Sequence, residues 1–241
     1  FFFNRNPGLF LPLIALQYHE VRLDIDLSAD YGTFFSGIKV WGNYVYLDTE
    51  ERRRFAQKGH EYLIEQVQHT GADAVSGVSQ QSVRLSYNHP VKELVWVLQT
   101  AKNFTVGTAY NDWFNFSAAL PGTPTPSTAV DLMADAKILL NGHDRFQVRP
   151  QTYFRLVQPY QHQTRIPDKH IYVYSCGLRP EEHQPSGTCN FSRIDNAQLV
   201  FDLTNIASLT TVTAGETGQS SMYATNYSGL RRLSGVGRLA Y

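Results

Sequence analysis

Residues 20–27 of the chain have the sequence EVRLDIDL, in which apolar side chains at odd positions alternate with charged side chains at even positions. A repeat of two residues is that of a β-strand, because successive side chains of a strand point to opposite faces. The apolar set Val21, Leu23, Ile25 and Leu27 predicts one buried face. The charged set predicts a second, hydrated face, so this stretch indicates a sheet that covers a core on one side.

Short segments of the same kind recur along the chain and are separated by turn residues. They are rich in aromatic and β-branched side chains, which fit the pleated surface of a sheet. Long helical periodicity is absent. Many short strands joined by Gly- and Pro-rich turns are typical of a β-sandwich or a jelly roll. The further strands are predicted at residues 38–47, 62–67, 82–87, 91–99, 136–140, 171–176, 197–203 and 221–233. Residues 91–99, which are apolar around Trp96, could alternatively form a helix.

One short helix is predicted over residues 49–58. Asp48 stands at the N-cap and Glu51 three residues later, which is the spacing of a capping box, and Gly59 is placed to end the helix. The arginine triplet 52–54 could alternatively bind nucleic acid. Matching to the helix dipole and the Glu50–Arg54 spacing account for it without a ligand.

The composition sets limits on partners. Of 241 residues, 42% are hydrophobic and 17% are charged, and 21 basic side chains balance 21 acidic ones. A net charge of zero gives no overall field for nucleic acid or an acidic membrane. No apolar run approaches the roughly 20 residues of a membrane helix. Cys176 and Cys189 are too few for a disulfide framework or a cysteine zinc site, so we expect two reduced thiols.

Enzyme motifs are weak throughout. Residues 235–240 match GxGxxA, but the helix and strand of a dinucleotide site do not follow. Residues 24–28 resemble the DxDxT of aspartyl phosphotransferases, yet both aspartates fall on the polar face of the predicted strand. The eight histidines include no HxH pair, and His162 and His170 lie beside Pro-containing turns. We therefore predict no catalytic residue, no cofactor and no metal site.

A polar segment over residues 104–128 is long for a loop, which indicates a role in interaction. Trp113, Phe114 and Phe116 are its candidate anchors for an interface. Four glycosylation sequons occur, at Asn103, Asn115, Asn190 and Asn226. Asn103 and Asn115 belong to this polar region and are the two candidate glycosylation sites. Asn190 and Asn226 fall in predicted strands, where we expect no glycan.

Four blocks of sequence resemble one protein family. They are NRNPGL with LPLIALQYHEV in residues 4–21, WGNY and EERRRFA in residues 41–56, EEHQPSGTCNFSRIDN in residues 181–196, and NYSGLRRLSG in residues 226–235. In this order they are similar to the major capsid proteins of nucleocytoplasmic large DNA viruses, the lineage of algal viruses, mimivirus-like viruses and iridoviruses. The blocks span nearly the whole chain.

The resemblance implies an all-β double jelly roll in a late viral protein that is structural and not an enzyme. It implies homotrimers that form pseudo-hexagonal capsomers of an icosahedral capsid, with neighbouring capsomers and minor capsid proteins as partners and no direct nucleic-acid contact. The capsid of the virion, assembled in the host cytoplasm, is the expected location. The competing function is a jelly-roll carbohydrate-binding or cupin-like protein, which should show convergent carboxylates, histidines or exposed aromatics.

The expected domains follow from the same resemblance. Residues 1–47 would be the C-terminal strands of a first jelly roll that is incomplete in this chain, residues 48–59 a connecting helix, and residues 60–241 a complete second jelly roll. A weak internal repeat relates residues 12–27 to residues 185–203. It predicts that the apolar face of residues 21–27 occupies the same barrel layer as Leu199, Phe201 and Leu203.

Overall fold

The computed structural model describes residues 1–16, 19–26, 37–75, 80–104, 113–118, 130–204, 218–233 and 236–240. The chain divides into two compact units. One comprises Phe1–Ile64 with Ser228–Tyr241, and the other comprises Glu65–Tyr227.

Two antiparallel sheets dominate the described residues. The first has the order β1-β10-β3-β7, with β11 paired to β10 and β8 paired to β3, and the second has the order β2-β9-β4-β5, with β6 paired to β4. The strands are β1 His60–Val75, β2 Gln81–Arg84, β3 Pro90–Thr100, β4 Met133–Leu140, β5 His143–Asp144, β6 Arg149–Pro150, β7 Tyr172–Ser175, β8 Cys189–Asn190, β9 Ala197–Leu203, β10 Gly218–Leu233 and β11 Val236–Ala240.

The strand pairs are nested from the ends of the fold toward its middle. β1 pairs with β10, β2 with β9, β3 with β7, and β4 with β5. This arrangement is a long hairpin rolled onto itself, so that paired strands alternate between two sheets. It is the topology of a jelly roll. The predicted all-β jelly-roll class is confirmed.

Large apolar side chains fill the space between the sheets. Every second residue of β3 and β9 belongs to this core, namely Leu94, Trp96 and Leu98 on β3 and Ala197, Leu199 and Phe201 on β9. Trp96 lies 5.2 Å from Phe154 and 6.0 Å from Tyr172, measured between ring centroids. Ring pairs at such distances add to the free energy gained from burial alone. Other members of this core are Val83, Leu85, Val91, Met133, Ala136, Ile138, Met222 and Ala224.

Helices are short and lie outside the sheets' ladders. The α-helices are α1 Phe2–Arg5, α2 Thr49–Gln57, α3 Ala101–Phe104 and α4 Gln158–His162, and a π-helical segment, Tyr153–Val157, leads into α4. Single 3₁₀ turns occur at Pro7–Leu9, Leu13–Ala15 and Phe191–Arg193.

Helix α2 begins as the sequence predicts. Asp48 Oδ1 accepts from the Glu51 amide at 2.8 Å, and Glu51 Oε2 accepts from the Asp48 amide at 3.4 Å, which completes the capping box. Two details of the prediction were wrong. The helix ends in an extended Lys58 and not at a left-handed Gly59. Glu50 pairs with Arg53 at 3.0 Å, one residue earlier than the predicted partner.

The strands predicted at residues 20–27 and 38–47 are not formed. Residues 19–26 and 37–47 are neither helix nor strand, and Leu27 lies outside the described residues. Val21 and Ile25 are half exposed, so the predicted layer shared with Leu199 and Phe201 is also wrong for this structure. An alternating pattern fixes which side chains would be buried. A strand also needs a neighbouring strand to pair with, and none of the described strands pairs with these residues.

The other strand predictions are confirmed, with shifted ends. β3 forms where residues 91–99 were ambiguous between helix and strand, and β9 has the predicted bounds. β2 ends at Arg84, three residues before the predicted end. β1 continues to Val75, eight residues beyond the predicted end at Val67.

Candidate assembly surface

The described part of the predicted interaction loop, residues 113–118, is held through its backbone. Gln99 Nε2 donates to the Trp113 carbonyl at 2.6 Å, and Lys169 Nζ donates to the Phe114 carbonyl at 2.8 Å. Asn103 Nδ2 donates to the Asn115 carbonyl at 2.9 Å. Three successive carbonyls are therefore fixed by side chains from two other parts of the chain, the β3–α3 junction and Lys169.

The segment continues into a second set of contacts. Asn115 Oδ1 accepts from the Ser117 amide at 3.1 Å and from the Ser117 hydroxyl at 2.7 Å. Ser117 forms an isolated antiparallel bridge with Asp131, and the Ala118 amide donates to the Val130 carbonyl at 3.0 Å. These bonds anchor the end of the segment beside the start of β4.

Two large aromatic side chains of this segment point toward solvent. Trp113 is 47% exposed and Phe114 is 70% exposed. The Lys169 ammonium lies 5.4 Å from the centroid of the Phe114 ring. Phe116 is only partly exposed. Aromatic side chains on a fixed backbone lose little conformational entropy on binding, which is typical of the strongest contacts in protein interfaces.

Both candidate glycosylation sites lie in this segment or next to it, but the folded chain buries them. Asn103 is 0% exposed and Asn115 is 1% exposed. The Asn103 amide nitrogen is already engaged with the Asn115 carbonyl. The two side chains are therefore not accessible in this folded chain, and glycosylation at Asn103 and Asn115 stays a prediction. Asn190 is exposed in the two-residue strand β8, and Asn226 is buried in β10.

A buried polar cluster around Asp131 was missed by sequence reasoning. Asp131 Oδ1 accepts from the Tyr172 hydroxyl at 2.9 Å and lies 3.5 Å from Arg155 Nε and 3.9 Å from His170 Nε2. Burial, with the carboxylate beside it, raises the pKa of Tyr172 well above its usual value. The side chains of Asp131, Arg155 and His170 are at most 16% exposed, so a substrate cannot reach them. The cluster joins elements of the fold.

The residue types that a cupin-like site needs are not brought together. Over the described residues no group of three or more His, Cys, Asp or Glu side chains is placed to hold a metal ion. His162 is partly exposed with its Nδ1 3.0 Å from the Leu178 carbonyl, whereas His170 is buried. Trp96, Phe154 and Tyr172 are part of the packed core between the two sheets. In the same described part of the chain, no helix is both long and apolar enough to span a membrane.

A second exposed apolar stretch lies in the other unit. Trp41 is 89% exposed and Tyr46 is 92% exposed, and Val40, Tyr44 and Val45 are exposed beside them. Contiguous apolar exposure of this kind is characteristic of surfaces that another protein segment covers. The stretch contains the WGNY block of the sequence resemblance.

Two family models cover nearly the whole chain. The model for the large eukaryotic DNA virus major capsid protein matches residues 51–237, and the model for the major capsid protein N-terminus matches residues 1–48. The chain belongs to the major capsid proteins of large eukaryotic DNA viruses. The predicted family is thereby confirmed, and with it the class of structural virion proteins.

Curated relatives agree with this assignment. The chain is 43% identical to the major capsid protein of Pyramimonas orientalis virus, 41% identical to that of Paramecium bursaria Chlorella virus 1 and 39% identical to that of Phaeocystis pouchetii virus. All three alignments cover 100% of the chain but only 59%, 65% and 64% of these relatives. The chain thus spans less than two thirds of the length of the major capsid proteins it matches.

Solved capsid structures share the fold. A quasi-atomic model of the PBCV-1 virus capsid matches with a TM-score of 0.71 and 35% identity, over 100% of this chain and 68% of that one. The Faustovirus major capsid protein matches with a TM-score of 0.59 over 76% of this chain and 36% of that one. At 15% identity, this second match concerns the fold alone.

Proposed function

We propose that this chain is a structural subunit of an icosahedral capsid, in which three copies form a pseudo-hexagonal capsomer. The observation that carries the proposal is the match of the capsid family model to residues 51–237. Two jelly rolls in each of three subunits would give six similar blocks around one axis, which accounts for a hexagonal outline.

The domain arrangement is part of the proposal. Residues 1–47, whose described part forms no strand here, would belong to the C-terminal part of a first jelly roll, residues 48–59 would connect, and residues 60–241 would form the second. Two features support this division. The family models meet between residues 48 and 51, and the nested strand pairs run from β1 to β10, within residues 60–233.

The aromatic side chains of residues 113–116 are the proposed contacts between subunits. Trp113 and Phe114 combine exposure with a backbone held by Gln99 and Lys169, so little ordering is required when a neighbour binds. Phe116, which is partly buried, would support them. Capsid interfaces must be stable, and stable interfaces are rich in buried aromatic side chains.

The remaining partners and the location follow from the same role. We propose contacts with neighbouring capsomers and minor capsid proteins, and assembly in the host cytoplasm. A net charge of zero supports the absence of direct nucleic-acid binding. A filled barrel interior and a buried, inaccessible Asp131 cluster support a role without catalysis, cofactor or metal.

A paired substitution tests the proposed contacts in the full-length protein. We expect Trp113→Ala with Phe114→Ala to weaken trimer formation by at least about tenfold, because truncating a central aromatic contact costs about 2 kcal/mol or more. The matched control is Tyr160→Ala, since Tyr160 is an aromatic residue that is 79% exposed elsewhere in the fold. Analytical ultracentrifugation measures the association, and circular dichroism verifies the fold. Unchanged association of the double variant would contradict the assignment of this surface.

A further inference from the structure

The two cysteines occupy neighbouring positions along one edge of β3. Cys189 pairs with Val91 in the β8 ladder, and Ser175 pairs with Glu93 in the β7 ladder. The Cys176 amide donates to the Lys92 carbonyl at 2.8 Å, which continues the β7 ladder by one residue. Twelve residues separate the cysteines in sequence, but the sheet brings them side by side.

Both thiols lie on the face of the sheet that is turned to the core. Tyr174 packs against the core from β7, and the two-residue repeat places Cys176 on the same face. Cys189 packs against the same core from β8. Both residues are partly exposed and neither is in a disulfide.

The loop between the cysteines is closed at its base by backbone contact. A Cβ on Gly177 would lie 2.8 Å from the Gly187 carbonyl oxygen, and Gly187 has a φ of +145°. The Ser186 hydroxyl accepts from the Arg179 amide at 2.8 Å within the loop. The two arms of the loop can approach this closely because both positions are glycine. This close approach keeps residues 176 and 189 next to each other.

The electrostatic surroundings favour a proton on one thiol and a thiolate on the other. The hydrogen bond from Cys176 lowers the pKa of Cys189, and the Arg145 guanidinium acts in the same direction against the effect of burial. The same hydrogen bond, together with burial, raises the pKa of Cys176. A partly exposed thiolate beside a cation is the setting in which a cysteine reacts with disulfides.

We propose that Cys176 and Cys189 form a reversible thiol–disulfide site that reacts with small-molecule disulfides of the glutathione class. The Cys189 thiolate attacks one sulfur of the reagent, so that a mixed disulfide forms and one reduced thiolate leaves. Cys176 then gives its proton through solvent to the reagent thiolate released in the first step and attacks Cys189 Sγ, which breaks the mixed disulfide and expels the second reduced thiolate. Two protein thiols are oxidised and one disulfide reagent is reduced to two thiols. The product covalently closes the loop over residues 177–188.

The test is to equilibrate the intact chain with mixtures of reduced and oxidised glutathione, trap free thiols with a maleimide and measure the intact mass. We expect a species that has lost two hydrogen atoms and carries neither maleimide nor glutathione. Unfolding the chain in urea should lower the ratio of internal to mixed disulfide by roughly tenfold or more, since folding supplies the proximity.

Single variants separate the two roles. Cys176→Ser should retain one glutathione on Cys189, because no second thiol can displace it, while Cys189→Ser should react much more slowly at Cys176. The wild-type measurement decides the proposal even if a variant fails to fold. Stable glutathione adducts, intermolecular dimers or two unreacted thiols in the native wild-type chain would each overturn it.

Discussion

Asp131 joins parts of the fold that are far apart in sequence. Its carboxylate contacts Tyr172 of β7, Arg155 of the π-helical segment and His170, and its carbonyl accepts from the Thr204 hydroxyl at 2.8 Å beyond the end of β9. Nothing in the spacing of these residues predicts the cluster, because each lies in a different strand or turn. Only the nested topology brings them together.

Asp131→Asn should therefore lower the free energy of unfolding by about 3 kcal/mol or more, since it leaves a buried Arg155 without its counter-charge. The matched control is Asp144→Asn, which breaks a more exposed pair with Lys137 at 3.1 Å. We expect that control to lose less than about 1 kcal/mol. Urea denaturation measures both variants, and equal losses would contradict the structural role of Asp131.

A second, largely buried ion pair joins Glu65 of β1 to Lys92 of β3. Lys92 Nζ lies 2.6 Å from Glu65 Oε1, with the Tyr227 ring 5.4 Å from the same ammonium. Lys92→Met alone should destabilise the fold by about 3 kcal/mol or more, because it removes the ammonium group that faces a nearly buried carboxylate. Adding Glu65→Leu should recover most of that loss. A double-mutant cycle in urea checks this, and an additive loss in the double variant would refute the coupling.

At the scale of elements, the ends of helix α2 show what local sequence determines. The capping box at Asp48 and Glu51 depends on residues three apart, so the sequence predicts it. The Asn141-Gly142 turn between β4 and β5 is equally local, with φ of +51° and +81°. An Asn-Gly pair is typical of a β-hairpin turn, but the strand pattern alone did not predict this hairpin.

Asp48→Ala should weaken helix α2 by about 1 kcal/mol, because the Glu51 amide loses its acceptor. Asp48→Asn keeps a side-chain acceptor and serves as the matched control. Hydrogen exchange at the amides of Thr49–Gln57 follows the local stability. Identical exchange in the alanine and asparagine variants would show that the cap does not hold this helix.

The local alternation of apolar and polar residues was not enough to predict whether residues 20–27 and 38–47 form strands. The alternation of EVRLDIDL is strong, but a strand forms only where another strand offers hydrogen bonds along its edge. β3 shows the opposite case. Its sequence was ambiguous between helix and strand, but it pairs with β10 on one edge and with β7 on the other, and eight of its eleven residues are buried.

At the scale of the whole molecule, composition and strand spacing predicted the all-β class, and the sequence blocks predicted the family. The exact anchors of assembly were only partly predictable. Trp113 and Phe114 are exposed as a contact requires, whereas Asn103 and Asn115 became buried because their amides are used to fix that same segment. A local sequon cannot reveal such a tertiary use of its side chain.

The proposed capsomer contains three copies of this protein, and the mass of the full-length protein under native conditions shows whether they associate. Native mass spectrometry at micromolar concentration should give three times the mass of one subunit, and averaged electron-microscopy images should show a pseudo-hexagonal outline. A mass of one or two subunits at micromolar concentration would contradict the proposed trimer.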